Sequence, residues 1–452
     1  MLSSCLCTPL ATPAVALSTF CRGHLESAAC CPLSVCCGCT PCLPVSTTNV
    51  ALVTGANRGV GYYTAKSLLN QGLTVYLLCR SLARGQRAAT KLAALTGNTN
   101  VEAFHVDLGQ LDTVATFVKE VERRHVNVVS LVNNAGMIGL RAMRINHLGH
   151  FALTVGLMPA LQRGARINRG PFPDACCCYR GGSTVVNVAS VAHIQGAVSM
   201  AAEVVALKEM TRWEPQRGDA WEKYSLSKAA NVLFTHSLAT QLKFSSGVRV
   251  SSYAPGVMAS DLWISEAQRN GSEEDRERAR ECGRLLVCPC VKHPCMSAAG
   301  VSALANPRCA CVPAPSSSSS TTSMMSSISS CLVCCCCTSL WGSSGGYYQQ
   351  FGQVCVVPVR PMPNMYHKKL QHDLWQASLA QIQRENAMLG ERLKENLAEM
   401  PAFSSLVGGG ESRNELVPPK ELVMDRCWVS PALPCTEIVT CLPYCVCAAF
   451  LF

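Results

Sequence analysis

Val50-Ala51-Leu52-Val53-Thr54-Gly55-Ala56-Asn57-Arg58-Gly59-Val60-Gly61 decides the fold. Four apolar residues run into three glycines spaced G-x-x-x-G-x-G, which reads as a strand, a tight turn and the start of a helix. Gly55 permits the turn. Gly59 carries no side chain to keep a pyrophosphate from the backbone. Gly61 lets the helix pack close to the strand, and the unpaired N–H groups of its first turn attract an anion. The spacing differs from the G-x-G-x-x-G of other dinucleotide sites. Asn57, Arg58 and Val60 complete the set of turn residues expected to meet a cofactor.

Working outward, strand patterns at 49–54, 73–79, 101–106, 127–133, 183–189 and 248–253 alternate with helical patterns at 59–71, 83–97, 110–124, 143–162 and 220–245. This alternation predicts an α/β fold: a doubly wound, Rossmann-like parallel sheet covered on both faces, forming a single domain. Right-handed crossovers bring the C-terminal ends of the strands to one edge, where open sheets bind ligands.

Tyr224-Ser225-Leu226-Ser227-Lys228 sets a phenol and an ammonium four residues apart, on one face of a helix. Leu226, Ala229, Ala230, Val232, Leu233, Leu238 and Leu242 give that helix an amphipathic pattern. A nearby positive charge favours phenolate, so Lys228 is expected to lower the Tyr224 pKa and fit it for acid–base work.

Taken in order, these motifs resemble the short-chain dehydrogenase/reductase family. Asn133-Asn134-Ala135-Gly136 follows the apolar strand at 128–132, and Asn146-His147-Leu148-Gly149-His150-Phe151 opens a helical run. Asn187-Val188-Ala189-Ser190 ends one strand and Pro255-Gly256 follows another. The resemblance covers roughly 48–265, with a fainter echo at 340–382, and its wording is most similar to the retinol dehydrogenase branch. It implies Tyr224 as acid/base, Lys228 as holder of the nicotinamide ribose, Ser190 as hydrogen-bond donor to the substrate oxygen, and Asn146 as holder of a relay water. It also implies cofactor contacts from Asp107 and Leu108 at the adenine, from Asn133, Ala135 and Gly136 after the fourth strand, and from Pro255 and Gly256. The substrate it suggests is a small lipophilic carbonyl or alcohol.

Charge selects between cofactors. The second strand ends at Arg80, where an NAD site places an acid for the ribose 2′-hydroxyl; an arginine suits a 2′-phosphate. With Arg58 close by in the glycine turn, NADP(H) is expected in preference to NAD.

The chain departs from the family in two places. Only the nine residues 137–145 separate Gly136 from Asn146, a shorter interval than the family's, so that the helix starts abruptly or Asn146 is displaced. Residues 164–182, with Pro171, Pro173 and Cys176-Cys177-Cys178, read as an inserted loop.

The 452 residues exceed the about 250 that one such domain needs. Composition divides them into a low-complexity or transit-like segment 1–46, an enzyme domain 47–308, a disordered Ser/Cys-rich insertion 309–346, a C-terminal part of the domain 347–400 and a tail 401–452. The run from Tyr366 to Glu399 reads as one long helix. Of 30 cysteines, 25 fall in 1–45, 282–337 and 427–447, outside the core, which argues against a disulfide framework threading the domain. No well-spaced histidine joins the cysteine clusters, so no metal is expected. Segment 1–46 is compatible with a plastid or other organelle transit peptide; otherwise the chain is read as cytoplasmic. No apolar run is long enough to span a membrane. The net charge of +10 is spread without interleaved aromatics, against nucleic-acid binding. A homodimer is compatible with this reading. Two functions stand: an active NADP(H)-dependent oxidoreductase, or a catalytically impaired dinucleotide-binding scaffold.

Overall fold

A computed structural model describes residues 49–168, 182–210, 213, 219–242, 246–256, 294–305, 345–351, 355–358 and 361–398. Expectations for 1–46, for most of 164–182 and 309–346, for the stretch after Gly256 and for 401–452 lie outside the described residues.

Strands β1 (Asn49–Thr54), β2 (Thr74–Cys79), β3 (Val101–His105), β4 (Asn127–Asn133), β5 (Ser183–Val188), β6 (Val248–Ala254), β7 (Gly346–Phe351) and β8 (Cys355–Pro358) form one sheet in the order β3-β2-β1-β4-β5-β6-β7-β8. The first seven in that order run parallel, so the doubly wound sheet holds. Strand β8 runs antiparallel to β7, an edge hairpin that the sequence reading did not include. Strand β7 also takes in Gly346, one residue ahead of the boundary read from composition. The central strands β1, β2 and β5 are buried at every residue, which explains why they read as continuous apolar runs without alternation.

Helices α1 (Gly59–Asn70), α2 (Leu82–Thr96) and α8 (Pro294–Ala305) cover one face, packing Val60, Leu68, Leu92 and Val301 onto Val53, Leu77 and Val186. The other face is covered by α3 (Leu111–Arg123), α4 (Gly149–Gly156), α5 (Met158–Ile167), α6 (His193–Glu209), α7 (Ala220–Gln241), α9 (Lys368–Glu385) and α10 (Ala387–Ala398). Gly164 of α5 shows how tightly they sit, since a β-carbon there would run into the Val128 carbonyl.

Four local expectations need correction. The pattern at 143–162 divides into a π-helical turn (Met143–Leu148), α4 and α5, and α5 continues to Ile167, inside the expected insertion. The run from Tyr366 breaks at Asn386, whose extended backbone (φ −146°, ψ 90°) separates α9 from α10. Helices α6 and α8 went unread. Helix α7 is not amphipathic: polar Ser225, Ser227, Asn231 and Thr235 are buried along with its leucines, because the sheet, α6 and α9 enclose it. Among the described residues, no helix is long and apolar enough to cross a membrane.

Candidate active site

The glycine turn is built as backbone chemistry requires. Gly55 and Gly59 have φ of +65° and +58°, a region side chains rarely enter. A β-carbon on Gly59 would meet nothing within 4 Å, so the turn leaves open space there. Gly61 sits at a close approach. Its β-carbon would collide with the Asn134 amide and lie 2.7 Å from the Gly55 carbonyl, so Gly61 lets the helix start close against the ends of β1 and β4 and also closes the turn.

A buried hydroxyl anchors this turn. Thr54 Oγ1 accepts from the backbone N–H of Asn134 and of Ala135, each at 2.9 Å. It lies 2.9 Å from His150 Nε2, and His150 Nδ1 is 2.9 Å from the Asn146 carbonyl. The Asn146 carbonyl can only accept, so Nδ1 carries the proton and Nε2 receives that of Thr54. Burial agrees, keeping His150 neutral by drawing its pKa down to about 4. Asn134 Nδ2 donates to the Thr54 carbonyl at 2.9 Å. Thr54, Asn134 and His150 stand within the motifs quoted above, but the sequence reading assigned them no role in the site. Cys79 is a further support, its sulfur accepting from the Ala56 and Asn57 backbone while burial pushes the thiol up to about 11.

Ser190, Tyr224 and Lys228 come together at the C-terminal ends of β4 and β5. The Ser190 hydroxyl hydrogen-bonds the Tyr224 phenol and accepts from Ala192 N at 3.2 Å. His193 Nδ1 donates to the Ser190 carbonyl at 2.8 Å, fixing the loop. Lys228 Nζ lies 5.4 Å from the centre of the Tyr224 ring and donates to the Val188 carbonyl at 2.9 Å. The expected lowering of the Tyr224 pKa does not hold. Burial pushes the phenol up to about 12, and the Ser190 hydrogen bond offsets only part of that. Burial likewise brings Lys228 down to about 8. Each group loses water as it enters the site, and that loss outweighs their mutual attraction.

The short linker does not displace Asn146. A β-carbon placed on Gly136 would lie 3.5 Å from Lys228 Nζ and 3.6 Å from Asn146 Oδ1, so the three residues share one corner. The Asn146 side chain also ties down the loop. Oδ1 accepts from Met137 N, and Nδ2 donates to the Met137 carbonyl and to Ser227 Oγ, each at 2.9 Å. Its carbonyl already receives His150. Asn146 therefore fixes the loop, and each of its two oxygens keeps a second acceptor site.

Other expected cofactor residues divide. Arg58 and Arg80 are exposed at the turn and at the end of β2, and the first turn of α2 beyond Arg80 holds no acid. Asp107 accepts from Gly109 N at 2.9 Å in a half-exposed loop. Leu108 and Val60 are buried, which leaves their backbone alone to face a cofactor. Asn133 steadies the central strand as expected: it is buried, and Nδ2 donates to Thr154 and Asn187 at 2.8 Å each, tying β4 to β5 and α4, while its Oδ1 has no partner. Pro255 accepts from Ser297 at 3.1 Å, and Gly256 turns with φ of +80°.

Apolar groups surround the phenol. Ile138, Ala142 and Ala192 pack about Tyr224 with Ala220 and Trp221. The Trp221 ring lies 5.4 Å from that of Tyr224, held by its N–H donating to Gln195 at 2.7 Å. A cavity of about 260 Å³ between α6 and the start of α7 is lined by Gln195, Ser199 and Ser225. Among the described residues, no three His, Cys, Asp or Glu side chains gather in a way that could hold a metal ion.

A parallel sheet, a glycine turn at its first crossover and a serine–tyrosine–lysine cluster at the strand ends define an α/β dinucleotide-binding protein. Residues 49–202 match the family described as short chain dehydrogenase. Retinol dehydrogenase 11 of Mus musculus is 33% identical over 230 residues, 47% of this chain and 63% of that protein. Retinol dehydrogenase 12 of Homo sapiens is 34% identical over 226 residues, with 47% and 63% covered. Among solved structures, levodione reductase superposes with a TM-score of 0.42 at 20% identity, covering 57% of this chain and 91% of that one. Over the matched residues the chain is similar to the short-chain dehydrogenase/reductase family and to its retinol dehydrogenase-like branch. Its match spans less than two thirds of the length of those curated relatives.

Proposed function

We propose that the protein is an NADP(H)-dependent oxidoreductase that interconverts a carbonyl and an alcohol on a lipophilic small molecule. The hydrogen-bonded Ser190–Tyr224 pair beside Lys228 carries this reading. A nicotinamide dinucleotide fits the residues present. The open space at Gly59 and the gap beside Gly136 are cradles that a side chain would fill, and Lys228 spends one N–H on Val188 with two remaining for ribose hydroxyls. Gly55, Asn57 and Gly59 would hold the diphosphate, and Arg58 and Arg80 a 2′-phosphate. The bound reduced cofactor would supply the hydride.

The protein's part in reduction is proton supply and orientation. Ser190 and Tyr224 hydrogen-bond the carbonyl oxygen, which stabilises the charge developing there. Tyr224, protonated at neutral pH, gives its proton to that oxygen as the C–H bond forms, so aldehyde or ketone becomes alcohol. Lys228 stabilises the phenolate left behind, and a proton from solvent restores the phenol. Ile138, Ala142, Ala192 and Trp221 favour an apolar substrate and limit water. The test is NADPH oxidation by the full chain with a panel of aliphatic and aromatic aldehydes. Turnover that vanishes in Tyr224→Phe, with NADPH still bound, supports the enzyme. NADPH binding without turnover on any carbonyl overturns it in favour of the scaffold.

A further inference from the structure

We infer that Glu385 and Ser378, on the C-terminal helix α9, are positioning residues that hold the π-helical turn carrying Asn146 in register with Tyr224 and Lys228; this rests on the oxidoreductase reading above.

The turn spans Met143–Leu148, a geometry that is rare because its hydrogen bonds are wider than those of an α-helix. With nine residues between Gly136 and Asn146, the chain enters helix at once, and side chains must fix what a longer approach would fix. Two of them flank Asn146. Arg144, 3% exposed, grips Glu385 with both guanidinium arms, Nη1 to Oε1 at 2.6 Å and Nη2 to Oε2 at 2.5 Å. Its Nε donates to the Gly109 carbonyl at 2.9 Å, so the guanidinium ties three segments. Gln381 Nε2 donates to Glu385 Oε1 and steadies the carboxylate. On the other side, His147 Nε2 lies 3.0 Å from Ser378 Oγ. Ser378 donates its own proton to the Leu374 carbonyl at 2.7 Å, so the imidazole is the donor.

Between these grips, Asn146 donates to Ser227, and Ser227 donates to the Tyr224 carbonyl at 2.6 Å. A continuous path therefore runs from α9 through the turn to the helix that bears the phenol. Rotation of the turn would withdraw Asn146 from Met137 and Ser227, and with them the loop at Gly136 that adjoins Lys228.

The experiment compares full-length wild type with Glu385→Gln, Ser378→Ala and the conservative Ser378→Thr, reading kcat, KM, NADPH affinity and hydrogen exchange. Loosening of about 1 Å at a reacting centre costs up to about 100-fold, so kcat should fall about 10- to 100-fold in Glu385→Gln, with NADPH affinity within about threefold. Exchange at 143–150 should quicken about tenfold while 59–70 stays as in wild type, and Ser378→Thr should restore what Ser378→Ala loses. Unchanged exchange at 143–150, faster exchange there with unchanged kcat, or an equal loosening of 59–70 with loss of NADPH binding would each overturn the inference. If wild type turns over no carbonyl, the oxidoreductase reading fails by itself, and exchange at 143–150 in Glu385→Gln decides the clamp alone.

Discussion

The Thr54 hydroxyl and the His150 imidazole meet at 2.9 Å in the interior, joining the first strand's glycine turn to the segment that carries Asn146. The glycine turn and the Asn146 segment thus share one buried oxygen with four polar neighbours, the fourth being the Val132 carbonyl at 3.3 Å. Thr54→Val keeps the shape and removes that oxygen, leaving two backbone N–H groups and the Nε2 lone pair unpaired. Urea unfolding should show a loss of about 2–4 kcal/mol, with Thr54→Ser close to wild type.

Gly61→Ala should distort the turn, since the new methyl meets the Asn134 amide and the Gly55 carbonyl. Overpacking of this kind costs about 1–3 kcal/mol. NADPH titration should show weakened binding along with a lower Tm. Gly59→Ala is a contrast: space is open, and the cost of about 1–2 kcal/mol comes from the left-handed backbone alone.

Arg80→Asp should exchange a partner for a 2′-phosphate for one that accepts from a 2′-hydroxyl. The ratio of kcat/KM for NADPH over NADH should fall at least about tenfold, which corresponds to about 1.4 kcal/mol. An unchanged ratio would count against the NADP(H) preference.

Ser190→Ala removes the hydroxyl that bonds the phenol. Turnover should fall about 100-fold or more while NADPH affinity holds, the signature of an interaction made at the reacting oxygen.

Acid should unfold the protein early. Burial draws His147 down to about 3 and His150 down to about 4, against 6.5 when unfolded. Below pH 6.5 the unfolded chain takes up these protons and the folded chain does not, so stability rises with pH across that window and is lost as pH falls toward 4. Each histidine contributes a slope of up to about 1.4 kcal/mol per pH unit. Tm measured from pH 7.5 to 5 should drop, and His147→Asn should flatten the fall.

The sheet and the glycine turn were legible because their causes are local. Val50–Val53 reads as a strand since both its faces are covered, and Gly55 and Gly59 answer to their own backbone angles. The Ser190, Tyr224 and Lys228 cluster was legible by resemblance, but its electrostatics were not: the sign of the Tyr224 shift depends on how deeply the site is covered. Helix α7 misled because its buried serines and threonines look like a solvent face until their partners are known; Thr235, for instance, receives Asn187 from β5. The grip of Arg144 on Glu385 joins residues 241 apart, and no local pattern announces it.

Helix α7, buried from Lys223 to Thr235, has a consequence for how the molecule would acquire new substrates. Its phenol and ammonium belong to a chassis that cannot be re-aimed without dismantling the interior. On the oxidoreductase reading, variation in what the site accepts must come from the residues around it, at positions such as Ile138, Ala192 and Trp221, which can be exchanged while the groups beneath them stay as they are.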